Sequence, residues 1–351
     1  MDNNKYYPMN SAELLDSVLD VYKKSFLKQI AVSMIFGTIF SVILYVVLFT
    51  GILGFAFNMV GSAYASVDPG DIFRGLLPSI IFFTILIAFI AIIYISMVAT
   101  GHAIITKQTF LNEPTDIGKV LKQTFKKLIP VGTTCIAELI VLLPVLILMG
   151  IFIYIYIMML MEIVNFNTIP STLTIIATIG IAILMIVVSL LCSTVTIMST
   201  SAAVFENKYF FSAVKKSFQL MKPDFLKILG LLTVWTLIIS AISYSLTSAT
   251  SLISILGEWI LPQEIAGIVA LISTGIGYML SMAVSVLLAP LSGIFATMMY
   301  INQRFKHEGL DIELNLNAIS TERLKTQFMN QQKIPPMPNP YNYGYNPGGP
   351  R

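Results

Sequence analysis

Along this chain, long stretches without Asp, Glu, Lys or Arg alternate with short segments in which charged and apolar residues interleave at helical spacing. The uncharged runs include Gln29–Val67, Gly75–Thr106, Leu139–Met161, Ile163–Ala203, Ile228–Gly257 and Ile265–Gln303. Crossing the hydrocarbon core of a bilayer takes about 20 apolar residues at 1.5 Å rise each. Leu, Ile, Val and Phe dominate every run, so each supplies one crossing. The pattern predicts an all-α, polytopic membrane protein with six transmembrane helices.

Three basic amphipathic segments punctuate the runs. The clearest lies in Ala203–Leu229 (AVFENKYFFSAVKKSFQLMKPDFLKIL), where Phe211, Val214, Phe218 and Met221 share one side and Lys215 and Lys222 lie away from it. The same grammar recurs at Leu14–Ile30, with a stripe of Leu14, Val18, Tyr22 and Phe26, and from Pro114, with Ile117, Val120, Leu121, Phe125 and Leu128. An apolar stripe opposite lysines predicts helices lying at the membrane interface, lysines toward anionic headgroups. Asn10 with Glu13 three residues on forms a capping box for the first of them, and Pro114 suits the first turn of the second. The order of basic segment, span, turn and span occurs three times. This divides 10–316 into parallel hairpin units at 10–107, 112–207 and 208–305, after a loose 1–9 and before a tail, 317–351.

Charge orients the hairpins. Of the 21 Lys and Arg, 20 fall in the N-terminal segment, the second-to-third and fourth-to-fifth connections and the tail; Arg74 alone lies opposite. The positive-inside rule then places both termini in the cytoplasm. Composition agrees: 56% of residues are hydrophobic and 11% charged, against roughly a quarter charged in soluble domains. The tail from 334 onward, IPPMPNPYNYGYNPGGPR, cannot build a core and reads as disordered or as a docking segment.

Few residues carry candidate chemistry. Glu138 is the one carboxylate set well inside a span, and His102 sits near the end of another; intramembrane ionisable groups are functional candidates by default. Cys135 and Cys192 read as small packed hydrophobes. Span three runs apolar from about Ile129 to Met161, about 50 Å as one helix, so it must tilt, project or kink at Pro144. Ser240, Ser243, Thr247, Ser251 and Ser254 in span five, and Ser273, Gly277, Ser281, Ser285, Ala289 and Gly293 in span six, form small-residue stripes that predict close packing of those two spans. Pro290 predicts a kink in the latter. Candidate contacts for anionic lipid are Lys23, Lys24, Lys122, Lys126, Lys127, Lys215, Lys216 and Lys222.

Two stretches carry a resemblance. The segment AAVFENKYFFSAVKKSFQLMKPDFLKIL, with Glu206, Lys215, Lys216, Ser217, Phe218, Leu220 and Phe225, resembles the recurring segment of the glycerophosphoryl diester phosphodiesterase membrane-domain family and related six-span bacterial proteins. MMYINQRFKHEGLDIEL, with Tyr300, Arg304, Glu308, Gly309, Asp311 and Glu313, is similar to that family's closing motif, and LLDSVLDVYKKSFLKQI to its opening. Asn302-Gln303 departs from it, since relatives often carry an acid before the arginine. The resemblance implies a helical membrane module without the phosphodiesterase barrel, for which this chain has no room. The expectation is a non-catalytic module that docks or assists an envelope or export complex. The alternative is a transporter or permease subunit for a small or lipid-like substrate. No cofactor, metal or nucleic acid is expected; anionic lipids are the expected partners, with another membrane or export protein and a docking role for the tail beside them.

Overall fold

A computed structural model describes residues 6–64, 69–166, 172–260, 263–317 and 319–320. The helices are α1 (Ser11–Tyr64), α2 (Pro69–Phe110), α3 (Ile117–Lys126), α4 (Leu128–Val141), α5 (Leu143–Phe166), α6 (Thr172–Thr196), α7 (Ser199–Glu206), α8 (Phe211–Met221), α9 (Phe225–Ile260) and α10 (Gln263–Glu308). No strand occurs among the described residues. Six stretches are long and apolar enough to cross a bilayer: Ser11–Gly54, Leu77–Phe110, Leu143–Met161, Thr172–Glu206, Phe211–Ser245 and Gly267–Glu308. The chain is a multi-pass membrane protein. The Pro-rich tail lies outside the described residues.

Several boundaries follow from local chemistry. Asn10 and Glu13 close the capping box in both directions, Asn10 N–H donating to Glu13 Oε2 and Glu13 N–H to Asn10 Oδ1, each at 2.9 Å. The helix so started does not stop at the first span. It continues for 54 residues, about 80 Å, so the first amphipathic segment is the leading part of α1 and not a separate element. Its buried stripe also differs from the expected one. Leu14, Val18, Val21, Ser25, Gln29, Val32 and Phe36 are buried, while Tyr22 and Phe26 are half-buried and Leu19 is exposed. The steps of three and four mark a seam facing protein rather than lipid, with Lys23 and Lys24 left outward.

The second amphipathic segment begins later than Pro114. Asp116 caps α3 by accepting from Gly118 N–H at 3.0 Å, and a carboxylate at that position outcompetes the proline as a start signal. The apolar run beyond it divides at Leu142 into α4 and α5, with Pro144 in the first turn of α5. A proline there lacks only a donor that the helix start leaves unused. The kink expected at Pro144 is thus a break two residues earlier. Pro290, by contrast, lies inside α10, whose helical assignment runs through it.

The described residues group into two units, those of Met9–Gln303 and those of Met1–Pro8 with Arg304–Arg351. In the larger unit, one apolar core joins Val32 and Phe36 of α1, Met97, Ala103, Ile104 and Ile105 of α2, and Val120 of α3. Val131 and Cys135 of α4, Ala203 and Val204 of α7, and Ala213 of α8 complete it. These positions lie near the lysine-bearing ends of the helices. Two glycines permit close approach: a Cβ at Gly101 would stand 2.6 Å from Val32 Cγ1, and one at Gly293 would stand 2.9 Å from His102 Cβ. At the end of the unit, the Asn302 side chain accepts from Met9 N–H at 2.8 Å and donates to Met9 C=O at 3.1 Å. In the smaller unit, Asn315 grips Tyr6 in the same way, at 3.2 and 2.8 Å. There Gly309, at φ +66°, ends α10, Arg304 donates to Glu308 at 2.7 Å, and helical backbone resumes over 310–317, which includes Asp311.

Candidate functional site

The polar side chains inside the apolar helices fall into separate sets. His102 is 2% exposed on α2. One tautomer of neutral imidazole satisfies both its ring nitrogens, Nδ1–H donating to Gln29 Oε1 and the Ser33 hydroxyl donating to Nε2 at 3.1 Å. The Gln29 amide donates to Thr106 Oγ1 at 3.2 Å, and Thr106 donates to the His102 carbonyl at 2.7 Å. Thus α1 and α2 are joined by a buried polar ring of contacts, with Gly293 of α10 against the imidazole. Buried polar groups without partners cost about 1–3 kcal/mol each; here the partners are supplied.

Glu138 of α4 reaches the first turn of α7. Its Oε1 accepts from the hydroxyls of Ser199 and Thr200, the latter at 3.2 Å. A carboxylate at a helix N-terminus also meets the positive end of the helix dipole. Glu138 and His102 share no partner among the described residues, so the structure does not join the two intramembrane candidates into one centre. Groups of three or more His, Cys, Asp or Glu that could hold a metal are absent among the described residues.

The segment Glu206–Lys222 is built around two of the motif residues. Ser217, fully buried on α8, sits at the break between α6 and α7. Its hydroxyl donates to Val195 C=O at 2.7 Å and accepts from Met198 N–H at 3.3 Å. It serves the backbone groups that the interrupted helix leaves unmatched. Glu206, at the end of α7, accepts from the Tyr300 hydroxyl at 2.6 Å and pairs with Lys216 at 3.4 Å and Lys208 at 3.5 Å. The rings of Phe205 and Tyr300 lie 5.7 Å apart. Phe218 itself is 44% exposed. The connection turns through two residues in the left-handed region, Asn207 at φ 52° and Phe210 at φ 49°; asparagine tolerates this, and phenylalanine adopts it rarely.

The lysines thus divide. Lys23, Lys122, Lys126, Lys215 and Lys222 are exposed, Lys24 is exposed and paired with Asp20 at 2.6 Å, and Lys216 is turned onto Glu206. Lys127 is half-buried between α3 and α4 and donates to Asn207 Oδ1. Burial first, and the charge of Lys107 second, hold its ammonium below the ordinary lysine range. Lys107 itself lies 5.1 Å from the centre of the Phe205 ring. Neither Lys107 nor Asn207 stands out in the sequence, because nothing in its spacing shows that the ends of α2, α3 and α7 converge.

The polar stripes separate as well. Trp235 of α9 stacks on Phe295 of α10 at 4.7 Å, so spans five and six touch through aromatic faces. Along the stripe of span six, Ser273 is buried but Ser285 and Ala289 are exposed, and Gly293 meets His102 of α2. The Gly293 end of that stripe therefore serves contact with span two.

No known protein family, curated protein or solved structure matches the chain.

Proposed function

We propose that the protein is a non-catalytic module of a bacterial cytoplasmic membrane, both termini cytoplasmic, that docks or assists an envelope or export complex through its basic face. The observation that carries this reading is the fate of the intramembrane polar groups. His102 is enclosed by Gln29, Ser33 and Thr106, and Glu138 is engaged by the start of α7. These side chains hold helices together, and the docking reading rests on the lysines that stay exposed, Lys23, Lys122, Lys126, Lys215 and Lys222. The resemblance of Glu206, Ser217, Phe218, Tyr300, Arg304, Glu308, Gly309 and Asp311 to the glycerophosphoryl diester phosphodiesterase membrane-domain family supports a membrane module of three parallel hairpins. The roles of Ser217 and Glu206 as braces of the α6–α7–α8 connection give those positions a structural reason. The leading part of α1, α3 and α8 are the basic segments of the three units, set at the level of anionic headgroups.

A second reading, a transporter or permease subunit, is favoured by Glu138, whose residue stays partly exposed although it lies in an apolar helix. The two are separated by quantitative cross-linking in native membranes, followed by reconstitution of the purified protein. A partner recovered at fixed stoichiometry, lost on charge reversal of Lys215 and Lys222, supports docking. A purified protein that alone drives solute flux abolished by Glu138→Gln refutes it in favour of transport.

A further inference from the structure

Between the ends of α2, α3 and α7 lies a cavity of about 260 Å³ lined by Lys107, Gln108, Glu113, Gln123, Lys126 and Lys127, with Phe205 in its wall. We infer that this cavity is a discrete binding site for one phosphate group whose ester carries a hydrogen-bond donor, rather than part of a diffuse basic surface. The inference does not depend on whether the protein docks or transports.

Four features support it. The volume is near the lower bound of roughly 300 Å³ for small-molecule sites, room for a headgroup and not for a whole lipid. Three lysines face one carboxylate there, an excess of positive charge that a phosphate oxygen set would meet with charge-assisted hydrogen bonds. Lys127 is held below its ordinary range by burial first and by the charge of Lys107 second; both lysines line the cavity, and an anion bound beside them would offset their repulsion. Finally, the Gln108 amide lines the same cavity with its Oε1 buried and without a partner among the described residues. An acceptor left open beside three cations fits a ligand that is anionic at one point and donates a hydrogen bond at another. A bare anion would satisfy the lysines and leave Gln108 unmet.

The local fold explains why the side chains converge. α2 ends in a turn at Asn112, φ 55°, with Glu113 N–H returning to Gln108 C=O at 2.8 Å, which brings Glu113 back beside Gln108. At the end of α3, Lys127 N–H bonds the Gln123 and Thr124 carbonyls at 3.1 Å. Those carbonyls are thereby occupied.

The test uses the full-length protein in nanodiscs of phosphatidylcholine, with and without phosphatidylglycerol, and in phosphatidylcholine nanodiscs with added glycerol 3-phosphate, a soluble phosphate ester with hydroxyl donors. Bound ligand is counted by native mass spectrometry and affinity is read by thermal shift. Saturable binding of one phosphate-bearing molecule is expected, weakened on the order of 30-fold by Lys107→Gln with Lys127→Gln. Lys119→Gln with Lys227→Gln, two exposed lysines outside the cavity, should change it little. If the double variant folds poorly, Lys126→Glu alone, at an exposed lysine, should weaken binding in the same direction. Binding from the phosphatidylglycerol arm alone identifies a lipid headgroup; binding from the glycerol 3-phosphate arm identifies a soluble phosphate ester. Absence of saturable binding in both arms, or equal weakening by the cavity and control pairs, overturns the inference.

Discussion

Replacing Gly101 by alanine tests the packing of α1 on α2 directly. The added Cβ would lie 2.6 Å from Val32 Cγ1, about 1 Å inside the roughly 3.5–4.0 Å optimum for two carbons. Val32 is fully buried and a member of the apolar core, so it has little room to retreat. Overpacking of this kind costs about 1–3 kcal/mol, against a gain near 1 kcal/mol from replacing a helical glycine by alanine. The net expectation is a loss of about 0–2 kcal/mol. Because that sum is small, the informative quantity is the coupling with Val32→Ala, which removes the methyl that clashes. In the double variant the new Cβ occupies space the lost methyls vacate, so the pair should be more stable than the two single effects predict by about 1–2 kcal/mol. Equilibrium unfolding of all four proteins in mixed micelles, followed by far-UV circular dichroism, gives the cycle. Additive effects within about 0.3–0.5 kcal/mol would refute close contact between these helices at this level.

Three other changes have expected outcomes. Ser217→Ala removes both bonds at the α6–α7 break and should lower unfolding free energy by about 1–3 kcal/mol, whereas Phe218→Ala, at a half-exposed ring, should change it much less. At Glu138, Gln keeps the ability to accept from Ser199 and Thr200 and Leu does not, so Leu should lower the melting temperature more; equal losses would show that the hydroxyl contacts contribute nothing. Lys127 is held below its ordinary pKa of 10.5, so the unfolded chain binds more protons through that window and stability should rise as pH climbs from below the lowered value toward 10.5. Comparing the pH profiles of wild type and Lys127→Gln isolates this contribution; identical slopes would remove it.

The six crossings, the capping box at Asn10 and the interruption near Pro144 were legible because each rests on local information: run length, a spacing of three, a ring without an amide hydrogen. The seam of α1 was less so. Tyr22 and Phe26 are more apolar than Ser25 and Gln29, yet the latter pair is buried, because Gln29 answers a histidine 73 residues away. Hydrophobicity ranks residues by their preference for oil over water, and a polar residue that finds its partner inside escapes that ranking. The same holds for Ser217, which reads as one small polar residue among many until the break it bridges is seen. Glu138 and His102 stand out in the sequence as ionisable groups within apolar runs, but sequence distance does not reveal which side chains answer them. Lys107 entered only the charge count that orients the spans and Gln108 carried no signal, since their meaning comes from three helix ends meeting.

The grip of Asn302 on Met9 has a consequence for biosynthesis. Its two bonds join residues 293 positions apart, so the beginning of the chain waits for its end. While the ribosome is still making the earlier spans, the backbone at Met9 has only water to bond. It becomes fixed once α10 has been synthesised. A nascent chain arrested before Asn302 should therefore offer its N-terminus to protease, and the released protein should not. The latch would report completion of the whole membrane domain, a mark that quality-control proteases could read without inspecting the helices inside the lipid.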